Sequence, residues 1–477
     1  MSEEILINVT PQETRVAVVE NGVLQEVHIE RATQRGLVGN IYKGRVSRFL
    51  PGMQAAFIDI GLDRAAFLQT AEMKVAEGGT PAALVEGQDI VVQVVKDPIG
   101  SKGARLTTQI SLPARYVVYM PGSDHIGISQ KIDKEEERER LRAAVRAAMG
   151  EEPGGLILRT MAEQVSEEEL KRDIRYLRKL WLRLSERLAQ TESRGLMHED
   201  FSLALRAMRD LVRDNVETVR IDSRETYYKA FEFASEFVPE VAPRIEYYPG
   251  ERPIFDLYSV EDEIKRALEA RVTLKSGGYL VIDQTEAMTT IDVNTGTYVG
   301  RRNLEETLFK TNLEAAHAIA RQLRLRNLGG MIIVDFIDMA DPEHKRQVLR
   351  ALERALAHDR VKVSVADMSS LGLVEITRKR TRESLEHVLC EPCPACKGRG
   401  MLKTTETVSY EIFREILREA RQFGTDEYLV VASQAVVDRL LDDQAQSLAN
   451  LQEFIGKPIH LQVEPLYNQE EFDVVLI

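Results

Sequence analysis

Residues 288–336 open with Met288-Thr-Thr-Ile-Asp292-Val and close with Met331-Ile-Ile-Val-Asp335-Phe336, and they predict the unit on which the fold depends. Both ends are typical of buried strands. Between them, Asn303 predicts the N-cap of a helix that stops at Gly329-Gly330. A strand, a crossover helix and a strand form a right-handed parallel unit, and ligands of open α/β sheets bind at its carboxyl edge. We therefore expect Asp292 and Asp335 to lie side by side.

Two carboxylates at one sheet edge suit Mg²⁺, which takes one or two protein carboxylates and completes its shell with water and substrate phosphate. A metal held there polarises a phosphodiester and lowers the pKa of a bound water, so the pair favours hydrolysis of a nucleic acid or nucleotide. Asn294 is expected to orient a water or a phosphate. Asp338 is expected either to cap the local backbone or to act as a metal ligand. The alternative is that these aspartates only cap loops or helices.

The length of 477 residues exceeds what one core supports, so about two to four domains are expected. The net charge of −13 argues against binding nucleic acid through the overall field, so a polyanion must meet local basic patches such as 321–326 and 377–382. No apolar run is long enough to span a bilayer, and the acidic start lacks the regions of a signal peptide. We expect a cytoplasmic protein without a membrane partner.

Short strands dominate the first hundred residues. Residues 5 to 31 predict a three-stranded meander that turns at Asn21-Gly22 and begins a sheet completed elsewhere. Residues 39 to 108 interleave turn glycines with basic and aromatic residues, which predicts a small oligonucleotide-binding barrel. Phe57 and Phe67 would then offer stacking faces to unpaired bases, and Lys102 would contact the backbone. The alternative is that both phenylalanines fill the barrel core.

A phosphate-binding pair is predicted where a buried strand meets a long helix. Residues 155–160 are typical of a strand that ends in Arg159 and Thr160, whose guanidinium and hydroxyl can grip a phosphate. The alternative is that Arg159, at the end of the strand, is only solvated and binds no phosphate. Ser166 then opens the helix with a capping box, and its apolar stripe predicts core packing.

The three cysteines lie within seven residues, which excludes a disulfide framework and indicates a metal site. Cys393-Pro-Ala-Cys396-Lys-Gly-Arg-Gly400 is typical of a zinc turn. Because two thiolates make half a tetrahedron, either two chains contribute one pair each, or His387 and Cys390 join within one chain in a cramped spacing. A reactive CxxC is disfavoured because no thioredoxin-like βαβ unit is visible around it.

Four motifs, in this order, resemble those of the ribonuclease E/G family of bacterial endoribonucleases, over essentially the whole chain. They are Thr290-Ile-Asp292-Val-Asn294-Thr-Gly, Ala320-Arg-Gln-Leu-Arg-Leu-Arg-Asn-Leu-Gly-Gly330, Val334-Asp335-Phe-Ile-Asp-Met339 and Cys393-Pro-Ala-Cys396-Lys-Gly-Arg-Gly400. Since the chain stops soon after its last small domain, without a long arginine- and proline-rich tail, it is expected to resemble the shorter members.

The resemblance implies a multidomain α/β and α+β fold. An RNase H-like domain carries an inserted S1 domain, which is an OB-type β-barrel, and is accompanied by a 5′-end sensor, a DNase I-like catalytic domain, a zinc link and a small α/β domain. The expected boundaries are 1–38 and 205–267 for the RNase H-like domain, 39–108 for S1, 109–204 for the sensor, 268–389 for the catalytic domain, 390–403 for the zinc link and 404–477 for the small domain.

The resemblance also implies roles for single residues. Asp292 and Asp335 correspond to the catalytic Mg²⁺ ligands with Asn294 supporting them, and Cys393 and Cys396 to zinc ligands shared between two chains. Arg159, Thr160 and the backbone of Val118 correspond to a pocket for a 5′-monophosphate, and Phe57, Phe67 and Lys102 to the S1 channel for single-stranded RNA.

The expected activity is Mg²⁺-dependent hydrolysis of single-stranded RNA to 5′-phosphate and 3′-hydroxyl ends, with preference for 5′-monophosphorylated rRNA, tRNA and mRNA precursors. A homodimer or a larger assembly is expected. A non-catalytic protein that binds single-stranded RNA is the competing class, and a DNA-cutting nuclease is a third.

Overall fold

The computed structural model describes residues 2–69, 84–98, 103–150, 153–191, 194–213, 215–239, 241–296 and 304–477. Its contacts divide the chain into two compact units, Met1–Val388 and Leu389–Ile477. In the described parts, the larger unit holds four sheets and the smaller unit one. None of the helices in those parts combines the length and the apolar content needed to cross a bilayer.

The chain begins with the predicted antiparallel meander. Its strands are β1 (Glu3–Val9), β2 (Glu13–Glu20) and β3 (Val23–Arg31). Asn21 and Gly22 join β2 to β3 with φ values of 49° and 77°, and positive φ at both central positions is what a type I′ turn requires. Alternate side chains on one face, such as Ile5 and Val16, are buried.

The next five strands close a barrel, as the short-strand pattern predicted. They are β4 (Ile41–Leu50), β5 (Ala55–Asp59), β6 (Ala66–Gln69), β7 (Asp89–Lys96) and β8 (Arg105–Thr107). The hydrogen-bonded order is β4-β5-β6-β8-β7, and β7 pairs back with β4. Inward-facing residues such as Ile58, Leu68 and Leu106 form the barrel core.

A four-stranded sheet packed by two helices follows the barrel. The elements are β9 (Leu112–Pro113), β10 (Val117–Met120), β11 (Ile126–Ile128), α1 (Glu135–Met149), β12 (Gly155–Leu158), α2 (Glu167–Gln190) and β13 (Gly195–His198). The sheet order is β11-β12-β10-β9, and β13 extends the barrel sheet beside β4. Ser166 and Glu169 form the predicted capping box of α2. Leu170 and Leu177 of its apolar stripe are buried, which confirms the predicted core face.

The meander is completed by strands far along the chain. The elements are α3 (Leu203–Asp210), β14 (Val216–Ile221), α4 (Arg224–Phe237), β15 (Ile245–Tyr247) and α5 (Val260–Arg266). β14 pairs in parallel with β1, and β15 with β14, so the sheet order is β15-β14-β1-β2-β3. Residues of α3 and α4 pack on its apolar face.

The last sheet of the larger unit contains the crossover predicted from residues 288–336. The elements are β16 (Arg271–Thr273), β17 (Tyr279–Gln284), β18 (Met288–Asn294), α6 (Leu304–Leu325), β19 (Gly330–Asp335), α7 (Pro342–Leu356), β20 (Val363–Val365), β21 (Leu373–Arg378) and α8 (Leu385–Leu389). The strand order is β16-β17-β18-β19-β21-β20. β18 and β19 are parallel and α6 connects them, as predicted. Asn303, the predicted N-cap of α6, lies outside the described residues.

The smaller unit is a three-stranded sheet with helices. After the cysteine turn come α9 (Thr405–Gln422), β22 (Tyr428–Ala432), α10 (Gln434–Leu441), α11 (Ala445–Ile455), β23 (Ile459–Val463) and β24 (Phe472–Leu476). β22 pairs in parallel with β23, so β22, α10, α11 and β23 form a βαβ unit. The expectation that no such unit accompanies the cysteines is therefore wrong. The turn at Cys393 and Cys396 nevertheless lies before helix α9, and it does not follow a strand of this βαβ unit.

Candidate functional site

Asp292 and Asp335 lie directly opposite each other at the ends of β18 and β19. The parallel register pairs Ile291 with Val334 and then Asp292 with Asp335. Because side chains alternate along a strand, the buried Ile291 and Val334 leave both carboxylates exposed on the other face. The structure thus brings together the two residues that the strand pattern singled out.

Negative charge is concentrated at this sheet edge. Partial burial, and then the charges of Asp292 and Asp338, raise the pKa of Asp335. Asn294 donates a hydrogen bond from Nδ2 to Oδ2 of Asp292 at 2.8 Å, so it orients that carboxylate. Crowded carboxylates of this kind are what a divalent cation neutralises, and oxygen donors are the ligands that Mg²⁺ prefers. The residues present therefore fit Mg²⁺, with one or two carboxylates contributed by the protein.

The loop after β19, residues 336–341, is fastened to α6 by two side chains that sequence reasoning missed. The fully buried Asn312 donates to the Ile337 carbonyl at 2.8 Å and accepts from the Ile337 N–H at 3.1 Å. Glu305 Oε1 accepts the backbone N–H groups of Ala340 and Asp341 at 3.1 and 3.2 Å. The buried residues of α6 also include Thr307, Thr311 and Gln322, so its polarity alone does not single out Asn312 in the sequence.

Phe57 and Phe67 face outward from the barrel rather than into its core. They are directly opposite in the β5–β6 register, and their ring centroids are 5.9 Å apart in an edge-to-face arrangement. Their neighbours Ile58 and Leu68 are the buried ones, whereas both phenylalanines are half-buried. The geometry supports a stacking surface and opposes core filling. Lys102, the third residue predicted for this surface, lies outside the described residues.

Arg159 and Thr160 follow β12, which pairs with the strand that carries Val118. Val118 is opposite Ile157 in the β10–β12 register, so Val118 lies on the strand beside β12, and Arg159 and Thr160 come directly after β12. Arg159 donates to the Ala114 carbonyl and to Asp210, both at 2.7 Å, which fixes its guanidinium. Thr160 shares a 2.9 Å hydrogen bond with Ser129.

A polar cavity of about 340 Å³ adjoins Thr160. Its cationic lining residues are Lys131, Arg213, Arg324 and Arg360, and its acidic lining residues are Glu3, Glu20 and Asp359. Nη1 of Arg360 is buried and has no hydrogen-bond partner among the described residues. The lining therefore carries charges of both signs, and Arg324 and Arg360 are already paired with Glu20 and Glu3.

The two arginine-rich stretches predicted as basic patches mostly tie elements together. Arg324 is bound to Glu20 at 2.7 Å and to Glu26 at 2.9 Å, and its side chain is only 7% exposed. Arg378 is buried against Asp359 at 2.8 Å, and the exposed Arg380 donates to the Gly329 carbonyl at 2.9 Å. The stretch 321–326 is therefore mostly an internal tie, whereas Lys379, Arg380 and Arg382 of the second stretch are exposed.

Cys393 and Cys396 form a thiol pair in the smaller unit. The N–H groups of Gly400 and Gly398 point at the Cys396 sulfur and, with the hydrogen bond to Cys393, lower the pKa of its thiol. Gly398 and Gly400 have φ values of 85° and 77°, a left-handed backbone that directs these amides toward sulfur. In the described part of the chain, no third His, Cys, Asp or Glu joins such a pair to hold a metal. The residues fit two of the four ligands of a zinc site.

Comparison with known proteins gives consistent matches. Residues 111–381 match the model of the ribonuclease E/G family, and residues 392–476 match that of the RNase E/G thioredoxin-like domain. Ribonuclease G of Escherichia coli strain K12 is 56% identical over 100% of both chains, and that of Haemophilus influenzae is 53% identical over 99% of both. Ribonuclease E of Escherichia coli strain K12 is 36% identical over 94% of this chain and 43% of its own.

Proposed function

This chain belongs to the ribonuclease E/G family, and from that premise we propose that it is an endoribonuclease that cleaves single-stranded RNA in rRNA and tRNA processing and in mRNA decay. The observation that supports the chemistry is the direct opposition of Asp292 and Asp335 across β18 and β19. Side chains at a sheet edge where parallel strands end are open to a bulky substrate, as a polynucleotide requires.

Mg²⁺ is the proposed cofactor, with Asp292 and Asp335 as its protein ligands. When bound, it would polarise the phosphodiester and supply a water nucleophile at neutral pH. Asn294 fixes the rotamer of Asp292 through their 2.8 Å hydrogen bond. Asp338 adds negative charge beside Asp335, which strengthens the attraction for a cation. The proposed products carry 5′-phosphate and 3′-hydroxyl ends.

The finer domain architecture is part of the same proposal. We assign the barrel to an S1 domain, the sheet of β1–β3, β14 and β15 to an RNase H-like domain, and the sheet of β16–β21 to a DNase I-like domain. On the barrel, Phe57, Phe67 and Lys102 would hold single-stranded bases and backbone. Arg159, Thr160 and Val118 would form the 5′-phosphate sensor, and the register that places Val118 opposite Ile157, two residues before Arg159, supports that assignment.

Zinc is proposed as a structural metal shared by two copies of the chain. The turn at Cys393 and Cys396 supplies two thiols in the geometry of a zinc knuckle, and a tetrahedral site needs four ligands. A second chain would contribute the other pair, which makes the protein a homodimer or a larger assembly. The alternative is a site within one chain that also uses His387 and Cys390, and the zinc content per chain distinguishes the two.

The deciding experiment compares wild type with Asp335→Asn on a labelled single-stranded RNA in the presence of Mg²⁺. We expect the variant to lose internal cleavage by at least about a hundredfold while RNA affinity is kept, because a transition-state contact and not a binding contact is removed. Substrates with 5′-monophosphate and 5′-hydroxyl ends, and a DNA of equal sequence, complete the panel. Thr377→Val, a substitution in β21 of the same sheet, serves as the control.

Normal cleavage by Asp335→Asn would exclude the two-carboxylate site. Binding without cleavage by wild type would leave a non-catalytic RNA-binding protein, and equal cleavage of the DNA would indicate a nuclease of wider specificity. Equal rates on both RNA ends would remove the sensor from the proposal.

A further inference from the structure

The arginine of the proposed 5′-end sensor is held by a carboxylate from a distant part of the chain. Arg159 follows β12, whereas Asp210 ends α3, a helix that packs on the first sheet. Nη2 of Arg159 donates to Oδ1 of Asp210, and Nη1 donates to the Ala114 carbonyl, both at 2.7 Å. Acceptors on two different nitrogens fix both the position and the plane of this guanidinium.

Asp210 is itself anchored, so it has little freedom to follow a moving arginine. Nη2 of Arg209 donates to Oδ2 of Asp210 at 2.8 Å, and Nη1 of Arg209 donates to Asp200 at 3.2 Å. The side chain of Arg209 is only 8% exposed, and that of Arg159 is 29% exposed. The carboxylate of Asp210 therefore joins a buried arginine to one that solvent and ligands can reach.

The helix that carries Asp210 does not explain why a carboxylate stands there. Asp210 is the last residue of α3, and the partial negative charge of a helix C-terminus opposes a carboxylate. Burial alone would also raise the pKa of Asp210, but the charges of Arg209 and then of Arg159 lower that pKa overall. The two arginines, and not the helix, therefore stabilise an ionised carboxylate at this position.

The charges of this cluster, which consists of Arg159, Arg209, Asp200 and Asp210, sum to zero. A neutral cluster adds little attraction that grows with the charge of a ligand, so its selectivity depends on the direction of its hydrogen bonds. A guanidinium has more N–H donors than the contacts of Arg159 with Ala114 and Asp210 use. The remaining donors of Arg159 can bind a phosphate while Asp210 holds the group in place.

We propose that Asp210 is a positioning residue that sets the 5′-end selectivity of RNA cleavage through Arg159, without touching the RNA itself. Its carboxylate directs the remaining donors of Arg159 toward a 5′-monophosphate. By balancing the charge of the cluster, the same carboxylate avoids favouring a triphosphate, which carries more negative charge. The inference rests on the proposed function, since it specifies how the sensor of that enzyme is held.

The test compares RNAs that differ only at the 5′ end. One labelled single-stranded sequence carries a monophosphate, a triphosphate or a hydroxyl, and kcat/KM for each is measured with the full chain and Mg²⁺. Asp210→Asn keeps the shape of the side chain but removes its charge. It should reduce the kcat/KM ratio of monophosphate to hydroxyl by roughly 10- to 100-fold, the contribution of a well-directed hydrogen bond to a charged group. The ratio of monophosphate to triphosphate should fall further, because the variant cluster has one extra positive charge.

Two controls separate positioning from a merely structural role. Each ratio is measured within one protein, so a smaller folded fraction cancels out of it. In a double-mutant cycle, Asp210→Asn added to Arg159→Ala should change the ratios by less than about twofold, because Asp210 then has no Arg159 to position. Glu30→Gln removes a matched carboxylate that pairs with Arg206, another arginine of α3, and it should leave both ratios at their wild-type values.

Unchanged ratios for Asp210→Asn, in a protein whose wild type prefers the monophosphate, would overturn this inference and leave the sensor in place. An equal loss of kcat/KM on all three RNAs would do the same, because it indicates a structural role. A further loss of preference in the Arg159→Ala background would show that Asp210 acts independently, which also contradicts the inference. Equal cleavage of the three RNAs by wild type would reject the sensor and this inference together, and absence of cleavage would reject the proposed function itself.

Discussion

At the scale of single residues, the candidate site depends on how the loop after β19 is held. Asp335 ends the strand, and Asp338 follows in a loop whose backbone at Ile337 makes two hydrogen bonds to the Asn312 side chain. Phe336 and Met339 are buried on either side, so the acidic residues are carried by a loop with little freedom. We therefore infer that Asn312 positions Asp335 and Asp338 through the backbone of Ile337.

We expect Asn312→Leu to lower kcat for RNA cleavage by roughly 10- to 100-fold with a KM change below about threefold, because misplaced carboxylates lose transition-state stabilisation while RNA binds elsewhere. Stability should fall by about 1 to 3 kcal/mol, since the Ile337 amide and carbonyl lose their partner. Thr311→Val is the control, because Thr311 is equally buried but, among the residues that the structure describes, its hydroxyl bonds only to the Thr307 carbonyl within α6. Equal kinetics for the two variants would refute the positioning role.

The same residues show what sequence could and could not predict at this scale. Asp292 and Asp335 were predictable because an acidic residue that interrupts an apolar strand is visible in the sequence itself. Asn312 was not, because its partner is a backbone group 25 positions later, in a loop whose path only the fold defines. The outward direction of Phe57 likewise depends on the strand register, and the sequence left both directions open.

At the scale of elements, α6 connects two sheets as well as two strands. Its Arg324 reaches Glu20 in β2 and Glu26 in β3, and its Arg321 donates to the Leu24 carbonyl of β3 at 3.0 Å. The helix that brings Asp292 beside Asp335 is therefore fastened to the first sheet of the chain. Sequence reasoning treated this arginine run as a surface patch, because periodicity shows which residues are charged but not which carboxylates face them.

We expect Arg324→Met to destabilise the larger unit by about 3 to 5 kcal/mol, because it leaves two carboxylates without their buried partner. Arg346→Met, which removes an exposed pair with Glu343, should cost less than about 1 kcal/mol. Urea unfolding of the full chain monitors both. If Arg324→Met changes the free energy of unfolding only slightly but makes RNA affinity depend less steeply on salt concentration, this arginine lies on an RNA-binding surface instead.

At the scale of the whole molecule, two buried groups in different parts of the larger unit give stability opposite pH dependences. Burial, and then the charge of Arg382, lowers the pKa of His28 from 6.5 to about 4. Burial raises the pKa of Asp173 from 3.8 to about 6, even though the Tyr116 N–H donates to its carboxylate. Between about pH 4 and pH 6, the unfolded chain binds an extra proton at His28, and the folded chain binds one at Asp173. The two contributions largely cancel.

We expect that replacing either His28 or Asp173 will reveal the pH dependence of stability that the other residue causes. His28→Gln should make stability fall, relative to wild type, as the pH rises from 4 to 6, because only Asp173 then titrates differently in the two states. Asp173→Asn should make stability fall as the pH drops from 6.5 to 4. Each change amounts to at most about 3 kcal/mol, at about 1.4 kcal/mol per pKa unit. Thermal melts across this pH range measure the effect, with His125→Gln, at an exposed position, as the control. Equal slopes of stability against pH for wild type and all variants would contradict the roles given to His28 and Asp173.

The barrel and the divided first sheet were predictable from the sequence. Short strands with turn glycines predicted the barrel, and the meander was expected to be completed elsewhere, as β14 and β15 do. The strands β23 and β24 were not predicted, because their apolar residues are few and their partner β22 decides the pairing. The register shifts between Val46 and Arg48 in β4 and between Val94 and Lys96 in β7 could not be predicted either, because a shift depends on two paired strands and leaves no pattern in one strand alone.

The order of strands in the first sheet has a consequence for synthesis. β1 leaves the ribosome early, but its parallel neighbour β14 follows only after the barrel and the long helix α2 have been made. At a translation rate of roughly 5 to 20 residues per second, the wait lasts roughly 10 to 40 seconds. During that time the nascent hairpins carry an apolar face and an open strand edge, while the contiguous barrel is free to fold on its own. We therefore expect the unpaired edge of β1 to be open to association with other chains until β14 has been synthesised.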